Sequence, residues 1–143
     1  MNKPFPILLI DDDPMVLDTL EYAAKYSFEE ATFTYLASYR EAVNYLHSLK
    51  GPGPRLILLD VDLKTEENGF TFLEELRAHP QGKSLPVVML SAYKTDENVE
   101  MANELNSTSF VQKPFVFNEW KACMSSLKNY WVNTVTVPQV WFN

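Results

Sequence analysis

Five residues able to do chemistry stand at the ends of short apolar runs. Asp11 and Asp12 follow Ile7-Leu8-Leu9-Ile10, and Asp60 follows Leu56-Ile57-Leu58-Leu59. Ser91 follows Pro86-Val87-Val88-Met89-Leu90, and Lys113 closes Ser109-Phe110-Val111-Gln112-Lys113. Carboxylates gathered within a few ångströms repel one another unless a cation compensates, and hard oxygen donors suit Mg²⁺, which commonly completes its shell with phosphate oxygens. An added ammonium and hydroxyl turn the set into a clamp for a phosphoryl group, with an aspartate as the nucleophile that forms an acyl phosphate. Singly, each residue has a plainer explanation. Asp-Asp-Asp-Pro reads as a solvated turn in which Asp13 caps a helix, Ser91 as a strand end, and a lysine before proline as a loop residue. The argument for chemistry is their joint placement.

That placement depends on the elements around them. The runs 7–10, 56–59 and 86–90 do not alternate with polar residues, as expected for strands covered on both faces of a parallel sheet. Ala31-Thr32-Phe33-Thr34-Tyr35-Leu36 alternates like an edge strand, and residues 109–113 form a fifth, short strand. Helix-length segments lie between them, with apolar residues three and four apart: Leu17, Leu20 and Ala24; Ala42, Val43, Leu46 and Leu49; Phe70, Leu73 and Leu76. A last stripe runs Val116, Trp120, Cys123, Met124, Leu127 and Trp131, whereas residues 95–105 are polar and predict the least firmly held helix. Asp13-Pro14 starts the first helix, Gly51-Pro52-Gly53-Pro54 ends the second, and His79-Pro80-Gln81-Gly82 follows the third. The order is (βα)5, an α/β chain whose doubly wound parallel sheet gathers its ligands at the carboxyl ends of the strands.

Composition bounds the rest. The chain has 143 residues, 46% of them hydrophobic, enough for one compact domain with its own core. Twelve Lys plus Arg against nineteen Asp plus Glu give a formal charge of −7, which argues against direct nucleic-acid binding and against anionic membrane. A single cysteine, Cys123, cannot form an internal disulfide, and three aspartates interrupt the first apolar run, so a cytoplasmic setting is expected. We divide the chain into a domain over 1–131 and an apolar tail over 132–143, which carries Pro138, Trp141 and Phe142. The tail is either packing or a dimer contact.

With these residues in place, the chain resembles a response-regulator receiver domain of two-component signalling. The resemblance spans about residues 5–131 and rests on Leu8-Leu9-Ile10-Asp11-Asp12-Asp13-Pro14, Leu56-Ile57-Leu58-Leu59-Asp60, Val87-Val88-Met89-Leu90-Ser91-Ala92 and Phe110-Val111-Gln112-Lys113-Pro114-Phe115. It implies a flavodoxin-like sheet with strand order 2-1-3-4-5. It also implies that Asp60 accepts a phosphoryl group from a sensor histidine kinase or a phosphotransfer protein. Asp11, Asp12, Asp60 and the backbone carbonyl of Asp62 would hold Mg²⁺. Lys113 would pair with Asp60 and then with the phosphoryl group, Ser91 would bind a phosphoryl oxygen, and Phe110 would follow Ser91 as a switch aromatic. The downstream protein would meet the face of the fourth helix, fifth strand and fifth helix, and the Lys113-Pro114 bond would be cis. Tyr130-Trp131-Val132-Asn133-Thr134-Val135-Thr136-Val137-Pro138 is similar to the ending of stand-alone receivers that serve bacterial phytochrome kinases, a subgroup that dimerises through its C-terminal side.

The chain also departs from the family pattern. Leu63 is followed by Lys64 where the family has Pro, and Gly69 lies nine positions past Asp60 instead of eight, an insertion of one. Glu66 and Glu67 add charge near the expected pocket mouth, where they would slow small phosphate-bearing donors. Asn106-Ser107-Thr108 replaces the family's Gly-Ala. Two other readings remain at this point. One is a receiver fold serving as a phosphorylation-independent docking module. The other is a haloacid-dehalogenase-like phosphatase, suggested by Asp60-Val61-Asp62-Leu63 and opposed by Lys64 and by the isolated Asp96. His47 and His79 are expected at surface or boundary positions, Met89 and Met101 as core or half-buried filler, and Tyr22, Tyr26, Tyr39 and Tyr45 in helix packing with wet hydroxyls.

Overall fold

The computed structural model describes residues 3–143. Five strands, β1 (Phe5–Ile10), β2 (Ala31–Leu36), β3 (Leu56–Asp60), β4 (Val87–Ser91) and β5 (Ser109–Gln112), form one sheet in the order β2-β1-β3-β4-β5. All four pairings are parallel, with Leu8 opposite both Thr34 and Ile57, Leu58 opposite Val88, and Leu90 opposite Val111. The three unbroken apolar runs are the central strands, buried throughout apart from Pro6. Alternating β2 and short β5 are the edges, as their patterns require.

The helices α1 (Pro14–Ser27), α2 (Tyr39–Ser48), α3 (Gly69–Ala78), α4 (Asp96–Glu104) and α5 (Phe117–Lys128) cover the sheet on two sides. On one side Ile7, Leu9, Leu58 and Leu90 pack with Val16 and Leu20 of α1 and with Trp120, Met124 and Leu127 of α5. On the other, Leu8, Ile10, Leu59 and Met89 pack with Ala42 and Leu46 of α2, Phe72, Leu73 and Leu76 of α3, and Ala102 of α4. Phe72 falls outside the expected stripe of α3 because the apolar face is wider than three residues. α4 buries Ala102 alone, in keeping with its polar sequence.

Local chemistry sets where the helices begin. Asp13 accepts from the Met15 N–H at 3.0 Å with Pro14 in the first turn, and Ser38 accepts from the Glu41 N–H at 3.1 Å. Thr95 caps α4 through the Asn98 N–H at 3.1 Å. At α3, Asn68 and Thr71 form a reciprocal capping box that the sequence reading missed.

Three expectations are corrected and a fourth is extended. Val116 is the N-cap of α5 and 53% exposed, because the helix starts one residue later and its buried stripe begins at Trp120. Met101 is 43% exposed, since α4 turns that side to solvent, whereas Met89 is buried in the sheet. Gly51-Pro52 does more than end α2: it pairs antiparallel with Trp141-Phe142, a partner too distant in sequence for local pattern to show. The Lys113-Pro114 bond is trans, the form an X-Pro bond prefers by about 0.5–1 kcal/mol.

Beyond α5 the chain makes one wide turn over Asn129–Thr134 that buries Trp131, then crosses the amino-terminal ends of the strands. Arg55 donates to the Val137 carbonyl at 3.0 Å, Gln139 donates to the Gly53 carbonyl at 2.7 Å, and the Gly53 N–H donates to the Val140 carbonyl at 2.9 Å. Phe142 ends this strap at 1% exposure in the core on the α2–α3 side.

Candidate phosphoryl-transfer site

The chain leaves β1 toward β2 on one side and reaches β3 on the other, so the sheet opens a crevice where strand order reverses, with Asp11 directly after β1 and Asp60 closing β3. Asp11 is fully buried; its N–H donates to the Leu36 carbonyl at 3.1 Å and its Oδ1 accepts from the Asp13 N–H at 2.9 Å. Asp60 is 4% exposed, and its Oδ1 accepts from the Asp62 N–H at 3.3 Å. Carboxylate oxygens of Asp11, Asp12 and Asp60 lie within 4.8 Å of one another. Lys113 enters from the end of β5, where its N–H donates to the Ser91 carbonyl at 2.7 Å. Its Nζ lies 2.8 Å from Asp11 Oδ2 and 3.4 Å from Asp60 Oδ1. The structure thus brings Asp11, Asp12, Asp60 and Lys113 together from three strand ends.

Burial pushes the Asp60 carboxyl up to about 7, and the neighbouring Asp11 charge adds to the shift while Lys113 opposes it. Burial also raises Asp11, against its contacts with Lys113 and the Asp13 N–H. Lys113 loses to burial but gains more from Asp11 and Asp60, so its ammonium is held more firmly than usual. One ammonium does not balance the cluster. Asp11 Oδ2 is already taken by the Lys113 ammonium at 2.8 Å, which leaves the charge of Asp12 and much of that of Asp60 uncompensated. Three carboxylates offering oxygens within 4.8 Å of one another, against a single ammonium, are a donor set that fits a hard divalent cation.

The other expected residues sit around this centre. Ser91 is 5% exposed; its hydroxyl donates to the Tyr93 carbonyl at 2.8 Å and accepts from the Tyr93 N–H at 3.1 Å, so it is held at the rim and not bonded to Asp60. Phe110 is half-buried against the core on the α2–α3–α4 side. The Asp62 side chain faces Lys64, not the cluster: the Lys64 N–H reaches Asp62 Oδ1 and Lys64 Nζ reaches Asp62 Oδ2, both at 3.0 Å. Those contacts hold the Asp62 carboxyl below the ordinary aspartate range. His47 lies 3.7 Å from Glu75, and His79 Nδ1 accepts from the N–H groups of Gln81 and Gly82, all away from the strand-end rim.

A doubly wound sheet with buried acids at its reversal and a lysine crossing to them is the architecture of a phosphoryl-accepting signalling domain. The family model for the response regulator receiver domain matches residues 7–124, and the chain belongs to that family. It is a phosphorelay receiver of two-component signalling rather than a turnover enzyme, which removes the phosphatase reading. Among its relatives, response regulator Rcp1 of Synechocystis sp. is 26% identical over 141 residues, spanning 96% of this chain and 95% of that protein. A probable methanogenesis regulatory protein, FilR2 of Methanothrix harundinacea, is 28% identical over 138 residues, spanning 92% and 86%. The solved Mn(2+)-bound form of Rcp1 superposes with a TM-score of 0.81 at 26% identity, covering 94% of this chain and 99% of that one. Phosphorylated RcpA, a cyanobacterial phytochrome response regulator, shares the fold with a TM-score of 0.83 at 23% identity over 94% and 99%. No described helix is long and apolar enough to cross a membrane.

Proposed function

We propose that Asp60 is the phosphoacceptor, that Asp11, Asp12 and Asp60 with the Asp62 carbonyl hold Mg²⁺, and that Lys113 and Ser91 receive the phosphoryl oxygens. The observation that carries this reading is the Lys113 ammonium standing 2.8 Å from Asp11 and 3.4 Å from Asp60 inside a buried acidic cluster. The donor is a phosphohistidine of a sensor kinase or a phosphotransfer protein. An Asp60 carboxylate oxygen attacks phosphorus, the P–O bond forms as the P–N bond breaks, and the imidazole nitrogen keeps the electron pair and takes up a proton. Bound Mg²⁺ would supply charge neutralisation for the phosphoryl oxygens. Lys113 balances the same charge from the β5 side, and the buried position of Asp60 keeps bulk water from the new acyl phosphate. The Mn(2+)-bound Rcp1 relative supports a divalent ion at such a site.

Phosphorylation adds charge and acceptor oxygens beside Ser91, drawing its hydroxyl away from the Tyr93 backbone and Phe110 inward after it. The face of α4, β5 and α5 then changes and meets a downstream protein. It is suited to move, since α4 buries Ala102 alone and β5 is an edge strand. A groove of about 380 Å³, lined by Met15, Thr19, Lys113, Phe115 and Trp120, opens beside Lys113. The unpaired Cys123 fits a cytoplasmic setting. The unit over 1–131 would be the switch, and the tail over 132–143, with Trp141 63% exposed, a contact between two copies.

Intact mass after acetyl phosphate and Mg²⁺ tests the assignment. One added phosphoryl group is expected, lost with chelator and absent from Asp60→Asn. Stoichiometric labelling of folded Asp60→Asn would overturn it, and a partner that binds wild type and Asp60→Asn equally would favour the docking-module reading.

A further inference from the structure

Lys64 is a second cation at the acidic site, and the chemistry above makes no use of it. It stands four residues past Asp60 with φ 61°, in the left-handed region that residues with side chains seldom adopt. The turn is closed on Asp62, whose two carboxylate oxygens are taken by the backbone N–H and the ammonium of the same lysine. The hydrogen bond to Asp62 is the main influence holding the Lys64 ammonium protonated, and the charges of Asp62, Asp12 and Asp60 add to it. Lys64 stands on the solvent side of the turn that carries Asp62, whose own N–H donates to Asp60: its side chain is 69% exposed against 18% for Lys113.

The charge balance gives this position a consequence. Lys113 meets Asp11 and Asp60, Lys64 pairs with Asp62 at the edge of the cluster, and one divalent cation at Asp11, Asp12 and Asp60 would neutralise the charge that remains. Without Lys64, the exposed Asp62 carboxylate would stand unpaired two residues from Asp60, and the entrance would stay negative with a cation bound. A dianionic phosphoryl donor would then approach against repulsion.

We propose that Lys64 is a positioning residue that admits small anionic phosphoryl donors to Asp60 by engaging Asp62 and offsetting the charge of the mouth. The inference rests on Asp60 being the phosphoacceptor. With acetyl phosphate, an Asp60 oxygen attacks phosphorus, the bond from phosphorus to the acetyl oxygen breaks, and acetate leaves with the electron pair, so no proton is transferred.

The test follows the phosphorylation rate by intact mass at saturating Mg²⁺ and subsaturating acetyl phosphate, in low and high salt. It compares wild type with Lys64→Arg, Lys64→Met, Lys64→Gly and Lys64→Glu. At low salt, Lys64→Arg keeps the rate, Lys64→Met and Lys64→Gly fall together by roughly three- to tenfold, and Lys64→Glu falls further. The spread collapses near 1 M salt, where the screening length is about 3 Å. Lys64→Gly relieves the left-handed backbone while removing the charge, so it separates electrostatics from loop geometry. Rates that ignore charge, persist in high salt, or split Lys64→Gly from Lys64→Met would overturn the proposal while leaving Asp60 as acceptor. A wild type that gains no Asp60-dependent mass would overturn the underlying assignment instead.

Discussion

Gly69, the first residue of α3, packs its Cα directly against the backbone carbonyl of Asp60. A Cβ there would collide with the Asp60 carbonyl and crowd Val61, while the Gly69 N–H donates to the Val61 carbonyl at 2.8 Å. The loop between β3 and α3 therefore closes on the strand end that carries Asp60.

Gly69→Ala should destabilise the protein by about 1–3 kcal/mol, because relief requires the backbone at Asp60 to move. Denaturant unfolding should show a lower midpoint with an unchanged slope, and the rate of phosphorylation should fall with it. An unchanged midpoint would mean that the loop relaxes without disturbing β3.

Asp60→Asn should stabilise the metal-free protein at neutral pH by on the order of 1 kcal/mol, since it removes one of the two buried acids in a cluster of three and leaves Asp11 with Lys113. Mg²⁺ should reverse the ranking. An ion that binds only the folded state adds about 2.7 kcal/mol at a hundred times its dissociation constant, and Asp60→Asn would remove one of the carboxylates proposed to hold it. Thermal unfolding with Mg²⁺ and with chelator measures both; equal Mg²⁺ shifts in the two proteins would count against Asp60 as a ligand.

A separate pair gives the clearest pH dependence. Glu30 Oε1 lies 2.9 Å from Lys128 Nζ, with the Glu30 side chain 6% exposed, and tethers the end of α5 to the turn before β2. Lys128 holds the Glu30 carboxyl below its ordinary 4.5. A carboxylate with a depressed folded-state pKa binds protons more weakly when folded, so its stabilisation is present above 4.5 and is lost as pH falls through the folded value. Glu30→Gln should cost about 1 kcal/mol at pH 7 and progressively less at pH values below the carboxylate range. Denaturant midpoints of both proteins across that range measure the difference, and a gap that widens in acid would refute the pairing.

The sequence made the sheet legible where burial is two-sided. The runs ending at Ile10, Leu59 and Leu90 have no polar face, and their alternation with helix-length segments puts them in the interior of a parallel sheet. Once those strands are parallel, the grouping of Asp11, Asp12, Asp60 and Lys113 follows from topology. Features that depend on exact backbone path were not legible. The Lys64 turn that takes up Asp62, the Gly69 contact with Asp60, and the capping box of Asn68 with Thr71 all arise in a loop whose course no periodicity encodes. The pairing of Gly51-Pro52 with Trp141-Phe142 joins distant segments through two residues each, too few to leave a pattern.

That last ladder divides the tail between two roles that mutation can separate. Phe142 is 1% exposed, its ring 5.4 Å from the ring of His79, and a Cβ on Gly53 would strike its ring. Trp141, one residue earlier, points outward at 63% exposure. Adjacent residues in a strand face opposite ways, so the tail closes the core with one side chain and offers the other to solvent. Phe142→Ala should therefore lose about 3 kcal/mol of stability, at the lower end for a buried phenylalanine because a chain end relaxes readily. Trp141→Ala should change stability by less than about 0.5 kcal/mol. If the tail is a contact between copies, Trp141→Ala should instead shift the concentration dependence of sedimentation or sizing toward the monomer. A dimer untouched by Trp141→Ala would place the contact elsewhere and leave the tail as a strap across the base of the sheet.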